Sequence, residues 1–376
     1  MRKLRVGLAI QINDEKDNFF TNGIKQNSII LQQCLSRCPN VKKVYLVNFG
    51  SFHDYKKTKW QPYADKIISA KESLKKIDIM IYTTVEASEK NKVILDKNKI
   101  TSIRLVLGNE YTMFSEKVIF NSDISIAPYN KNNFIKQTWI SPHLFNQNKD
   151  FFEVINDGPA LISPYIWSSM FIDEHANLYK KINHPGKYKS SGNVEKNVSV
   201  FEPNLNLVKT SFTPIISAEK TFNKAPDLIK SFRIFNSKKL KNDKSFVNFM
   251  TKLNVYKNNK IFFNGRQAIV ASLFDRTDIV LSHQRDCALN YLYFDAAWLG
   301  FPLIHNSELL KDLGYYYEDW NAEQASDLII KVAKEFDSSE DYQRKYLDDS
   351  RRFISQYLPD HPRNVNGYAE LLENAI

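Results

Sequence analysis

Short, β-branched runs alternate with stretches of helical periodicity along this chain, and the alternation happens twice. "LRVGLAIQI" (4–12), "KKVYLVNFG" (42–50), "KKIDIMIYTT" (75–84), "TSIRLVLGNEY" (101–111), "DISIAP" (123–128) and "GPALISPYIW" (158–167) read as buried strands. Helical segments such as "IKQNSIILQQCLSRC" separate them, which is the pattern of parallel βαβ units. Over 183–197 the pattern breaks into "NHPGKYKSSGNVEKN", polar with Gly, Pro and Ser, the expected joint. It restarts with "VSVFEPN", "FRIFNS", "NKIFFNGR", "TDIVLSHQ" and "FPLIHNS", and closes on the helical "ASDLIIKVAKEF" and "YQRKYLDDSRRFISQYL". The expected class is therefore α/β: two Rossmann-like, doubly wound domains whose strand tips face a cleft, followed by C-terminal helices.

A length of 376 residues suits two cores better than one. The three cysteines, Cys34, Cys38 and Cys287, lack metal-type spacing and read as free thiols of a reducing compartment. No apolar run reaches the roughly 18 residues that a membrane-spanning helix needs, so no transmembrane segment is expected. The basic opening "MRKLRVGLAIQIND" has too short an apolar run for a signal peptide. The expected location is cytoplasmic, the host's cytoplasm for a phage-encoded chain. Lys and Arg total 52 against 42 acidic residues, a net +10. That balance favours polyanionic partners, and it equally reflects a composition rich in lysine and asparagine.

Chemistry in α/β proteins gathers at the tips of parallel strands, and five tips carry candidates. Asn22 and Gly23 precede a helix whose free N–H groups suit an anion; the pair also reads as a routine N-cap. Gly108, Asn109 and Glu110 follow a strand directly, which makes Glu110 a candidate general base, or a capping or ion-paired glutamate. In "VFEPNLNLVKT" (200–210), Pro203 stops the strand. Glu202 and Asn204 are then left to meet hydroxyls, and Lys209 to meet phosphate. A local Glu202–Lys209 salt bridge is the alternative. Arg266 follows a glycine in "IFFNGRQ" and reads as a phosphate ligand or a solvated loop arginine.

The fifth tip is the richest. "TDIVLSHQRDCALNYLYFDAAWLGFPLIHNS" (277–307) delivers His283 and Gln284, then a helix that starts near Asn290 and Tyr291 and carries Asp295. A helix start at such a tip suits a diphosphate. No second histidine stands at ligand spacing from His283, so no metal site is expected. No nucleophile-elbow serine, phosphate loop or Gly-x-Gly-x-x-Gly fingerprint occurs, which disfavours triad hydrolases, nucleotide hydrolases and dinucleotide oxidoreductases.

"DAAWLGFPLIHNS" resembles the donor-site region of GT-B glycosyltransferases. "NGIKQNSIILQQCL", "VFEPNLNLVKTSFTPI", "LNYLYFDAAWLGFPLIHNS" and "DLGYYY" are similar to signature segments of a poorly characterised bacterial and phage family of GT-B-fold glycosyltransferases. The resemblance implies an acceptor-side domain over 1–182 and a nucleotide-sugar domain over 198–345. It also implies a helix within 346–376 that packs back on the first domain. Lys209 and Arg266 match the cations that neutralise the donor's diphosphate, and Asp295 matches the acid that grips the ribose. The family's Glu-x-x-x-Glu spacing is absent.

The expected reaction is sugar transfer from a nucleotide diphosphate, most often a UDP-sugar, to a hydroxyl acceptor. Fixed protein cations take the place of a metal in such sites, and Glu110 serves as base in an inverting reaction. No cofactor is expected beyond the co-substrate. Charge and composition favour a hydroxylated pyrimidine in double-stranded phage DNA as acceptor. A bacterial surface polysaccharide is the alternative, and a non-catalytic nucleotide-sugar binder the third reading.

Overall fold

The computed structural model describes residues 3–19, 23–83, 85, 89–121, 134–156 and 158–376. They form two compact units: residues 1–168 with 356–376, and residues 169–355. The expected strand at 123–128 lies outside the described residues.

The first unit holds a parallel sheet of β1 (Leu4–Ile10), β2 (Val41–Asn48), β3 (Ile67–Ser69), β4 (Ile79–Tyr82), β5 (Thr101–Val106), β6 (Gln137–Ile140) and β7 (Ala160–Ile162). Their order is β3-β2-β1-β4-β5-β6-β7. β4, β6 and nearly all of β1 and β5 are buried, as parallel strands covered on both faces must be. Helices α1 (Gly23–Leu35), α2 (Ala70–Lys76), α3 (Glu89–Lys97), α4 (Glu110–Phe120) and α5 (Phe145–Asn156) connect them. The sequence did not mark β3 and β6, whose three and four residues carry little periodicity.

The second unit opens with α6 (Met170–Lys180). Its sheet comprises β8 (Lys196–Val200), β9 (Ile229–Ile234), β10 (Ile261–Phe263), β11 (Ile279–Leu281), β12 (Leu303–His305) and β13 (Tyr315–Tyr316). The order β10-β9-β8-β11-β12-β13 repeats the scheme of the first unit, and every pairing is parallel. Helices α7 (Phe212–Lys224), α8 (Lys244–Met250), α9 (Asn254–Lys257), α10 (Ile269–Arg276), α11 (Tyr291–Trp298), α12 (Ala322–Glu335) and α13 (Glu340–Ile354) follow. The polar stretch 183–197 lies inside this unit. Tyr188 anchors it: its N–H donates to the Leu299 carbonyl (2.7 Å) and its hydroxyl to Asp337 (2.9 Å). Lys196 completes the anchor with a 2.5 Å ion pair to the same carboxylate.

After α13 the chain returns to the first unit as α14 (Pro362–Glu373). There Asn40 Nδ2 donates to the Ala369 carbonyl (2.8 Å), and Tyr368 OH to that of Pro164 (2.8 Å). Tyr368 and Leu372 are buried. Cys34, Cys38 and Cys287 are free and buried, and burial raises the Cys38 thiol to about 12. No helix among the described residues is long and apolar enough to cross a membrane.

Candidate functional site

In doubly wound sheets, ligands collect at the carboxyl ends of the strands where the strand order reverses. In the second sheet that point lies between β8 and β11. Just past it, β8 reaches Glu202 and β11 reaches Ser282, His283 and Gln284.

Glu202 is 1% exposed. Its Oε1 accepts from the Ser282 hydroxyl and from the His283 backbone N–H (3.1 Å). Tyr293 OH, in the first turn of α11, lies 3.0 Å from Ser282 Oγ. A hydroxyl has one proton to give, so a Ser282 that donates to Glu202 takes its second bond from Tyr293. Oε2 has no partner among the described residues. Burial dominates the balance and raises the carboxyl from 4.5 to about 7, against the lowering effects of Ser282, the Lys209 charge and the His283 N–H.

His283 is equally buried. Its Nδ1 is 2.9 Å from Tyr317 OH, and that hydroxyl donates to the Ser282 carbonyl (2.9 Å). Tyr317 has spent its only proton, so Nδ1 of His283 must carry the hydrogen and Nε2 is a bare acceptor. Burial lowers the imidazole to about 4, which keeps it neutral at pH 7. Nε2 is buried with no partner among the described residues. An acceptor stranded in this way costs about 1–3 kcal/mol. The exposed indole of Trp320 tilts against the ring, with centroids 4.6 Å apart.

The surrounding loops are braced from within. Gln284 N–H donates to Asn306 Oδ1 (2.8 Å), and Asn306 Nδ2 returns to the Gln284 carbonyl (2.8 Å). Asn204 adopts a left-handed φ of 51°. Its side chain binds the Glu202 carbonyl (3.0 Å), Ser211 Oγ (2.9 Å) and the Ser211 N–H (2.8 Å). These bonds close the loop that carries Lys209. Lys209 is half-buried and makes no ion pair among the described residues, so the alternative of a Glu202–Lys209 salt bridge is not formed. Arg266 is exposed in the loop after the edge strand β10.

Asn290 caps α11 by accepting from the Leu292 N–H (3.2 Å). Tyr291 and Asp295 are half-buried on the same helix. Gly300, at φ 83°, ends the helix, and the Phe301 N–H returns to the Ala296 carbonyl (2.9 Å). β8, β11 and α11 therefore meet through Glu202, Ser282, His283 and Tyr293, while Asn290 and Tyr291 stand at the start of the same helix and Lys209 on the loop that follows Glu202.

In the first unit, Glu110 opens α4, and Arg104 Nη2 holds its Oε2 at 2.8 Å. Gly23 opens α1, while Asn22 lies outside the described residues. Sequence reasoning missed Ser282, Tyr293, Tyr317, Asn306 and Trp320. Tyr317 sits in the quoted "DLGYYY" segment, and Ser282 directly precedes a chosen residue, so proximity to marked segments was the available signal.

Solved structures resemble the chain over its full length. Anabaena HepE (Alr3699) in complex with UDP-glucose has a TM-score of 0.55 at 10% identity, covering 99% of this chain and 100% of that one. A glycosyltransferase from Rickettsia africae scores 0.57 at 12% identity, covering all of both chains. An α-glucosyltransferase solved with UDP and a 13-mer DNA containing an HMU base scores 0.56 at 12% identity, again covering both chains fully. At such identities the likeness establishes the fold, which is GT-B with two parallel Rossmann-like sheets. No curated protein matches the sequence. The model of the DUF2827 family, described as a protein of unknown function, matches residues 6–372, and the chain belongs to that family.

Proposed function

We propose that this chain is a glycosyltransferase that takes a sugar from a nucleotide diphosphate, a UDP-sugar in the first instance, and transfers it to a hydroxyl. The observation that carries the reading is the cluster at the β8/β11 reversal. There an ion-pair-free Lys209 and the capped start of α11 adjoin buried, unsatisfied acceptors. The full-length fold likeness to proteins solved with UDP supports it. In the reaction, the bond from the anomeric carbon to the diphosphate oxygen breaks, and the electron pair leaves with UDP. Lys209, Arg266 and the positive dipole end of α11 offset the charge that develops on the leaving diphosphate. Glu202, Asn204, His283, Tyr291 and Asp295 complete the donor side, with Asp295 facing the ribose; Asn22, which lies outside the described residues, and Gly23, at the start of α1, are further donor-binding candidates.

The acceptor oxygen bonds to the anomeric carbon and loses its proton to a base, for which Glu110 is the candidate. That role requires the Arg104–Glu110 pair to open. For the acceptor itself we propose a hydroxylated pyrimidine in double-stranded DNA. The net +10 charge supports a polyanion, and one full-length fold relative was solved with DNA containing an HMU base.

The test incubates the protein with a panel of nucleotide sugars and DNA with or without hydroxymethylated pyrimidines, followed by nucleoside mass spectrometry. A mass gain of one hexose on the modified base alone supports both parts. Transfer to a glycan acceptor and not to DNA moves the acceptor to surface polysaccharide. Donor binding without turnover on any acceptor removes the enzymatic reading.

A further inference from the structure

His283 has a fixed tautomer, and that fixes the kind of atom it can greet. Its Nδ1–H is committed to Tyr317, whose proton is committed to the Ser282 carbonyl. The Glu202 carboxyl binds the His283 backbone N–H from the neighbouring strand and so locks the tip that carries the ring. Nε2 is then a lone pair with no donor among the described residues. A phosphate oxygen is itself an acceptor and cannot satisfy it; an O–H or N–H group can. Trp320 covers the ring from outside. It is 56% exposed, and its indole has no hydrogen bond among the described residues. Its neighbour Asp319 adopts a left-handed φ of 44° and is tied by its carbonyl to Asn306 Nδ2 (3.0 Å). The backbone is anchored while the indole is not.

We propose that His283 Nε2, beneath the indole of Trp320, is the acceptor subsite for a hydroxyl or N–H of the bound nucleotide sugar, and that Trp320 swings aside to admit it. This rests on the donor-site reading and sharpens it. The diphosphate is held by cations, while a neutral acceptor reads a neutral donor group on the nucleoside or the sugar. Burial keeps the imidazole from competing as a cation at neutral pH.

The probes are UDP and UDP-glucose, measured by calorimetry on the full chain. His283→Asn retains an amide that can donate to Tyr317 as Nδ1 does, yet has nothing at the Nε2 position. His283→Gln carries an oxygen near Nε2. The Asn variant should bind at least one probe about tenfold more weakly at an unchanged melting temperature, and the Gln variant should recover part of the loss. An equal loss with UDP and UDP-glucose assigns the contact to the nucleoside. A loss with UDP-glucose alone assigns it to the sugar. Wild-type affinity for both probes in the Asn variant overturns the subsite. On the unsubstituted protein, the histidine ¹⁵N resonance of Nε2 should move upfield on saturation, and a resonance that stays put while ligand binds also overturns it. Failure of the wild-type protein to bind either probe, or any other nucleotide sugar, removes the donor-site reading and the subsite with it.

Discussion

Each sheet offers a carboxylate just beyond a strand tip, and the two are treated in opposite ways. Glu110 of the first unit is partly exposed and held by Arg104, which stacks its guanidinium over Phe152 at 5.0 Å. Glu202 of the second unit is buried, receives two neutral donors on one oxygen and leaves the other oxygen bare. The two sheets share one strand order, yet the carboxylates stand at different tips: Glu202 follows β8 at the reversal of that order, and Glu110 follows β5, one strand beyond the corresponding reversal. A cation supplied six residues away turns one carboxylate into a brace. Burial turns the other into a group that titrates near neutrality, and the Lys209 charge offsets that rise only in part.

The strongest way to break this contrast is to remove the second unit's cations. Lys209→Ala and Arg266→Ala should each lower kcat/KM for sugar transfer by about 10²-fold or more, the usual scale for one lost charge-stabilising group, with circular dichroism unchanged. Unaltered turnover in both variants would move the chemistry away from these tips.

The next effect concerns Glu202. Its carboxyl has an ordinary value of 4.5 when unfolded and about 7 when folded. The folded state therefore holds the proton more tightly. Stability is fully present below pH 4.5 and declines as pH rises through about 7, by about 3 kcal/mol in all. Glu202→Gln keeps an acceptor for Ser282 and the His283 N–H but has no proton to lose. Urea midpoints at pH 5 and pH 8 should converge for the variant and differ for the parent. Parallel pH profiles would show that Glu202 is not the titrating group.

The smallest effect is expected in the first unit. A double-mutant cycle of Arg104→Met and Glu110→Gln should give a coupling of about 1–2 kcal/mol, typical of a partly buried pair. A coupling near zero would make Glu110 an unbraced carboxylate like Glu202 and dissolve the contrast.

The alternation of β-branched runs with helical stretches was enough to read both sheets as parallel, because strands buried on both faces have a local signature. Glu202, Asn290 and Gly300 were legible for a similar reason: a proline, a cap and a helix stop are local events. The partners of Glu202 were not. Ser282 and His283 stand about eighty positions along the chain, and only the pairing of β8 with β11 brings them near. Tyr317 reaches His283 from beyond β13, a strand of two residues that no periodicity can mark. Asn204 was legible as a polar residue at the strand end, but its left-handed backbone and the bonds by which it closes its own loop are invisible in one letter. The stretch 183–197 looked like a joint since its polarity is evident, whereas the hold of Tyr188 on Leu299 and Asp337 spans more than a hundred positions.

The return of residues 356–376 to the first unit bears on how the protein is made. A ribosome delivers Cys38, Asn40 and Trp139 long before it delivers Val365, Ala369 and Tyr368, which meet them in the finished core. All of residues 169–355 emerge in between and can complete their own sheet first. During synthesis the earlier-made unit is therefore the one that waits, its α14 side open, while the later-made unit closes ahead of it.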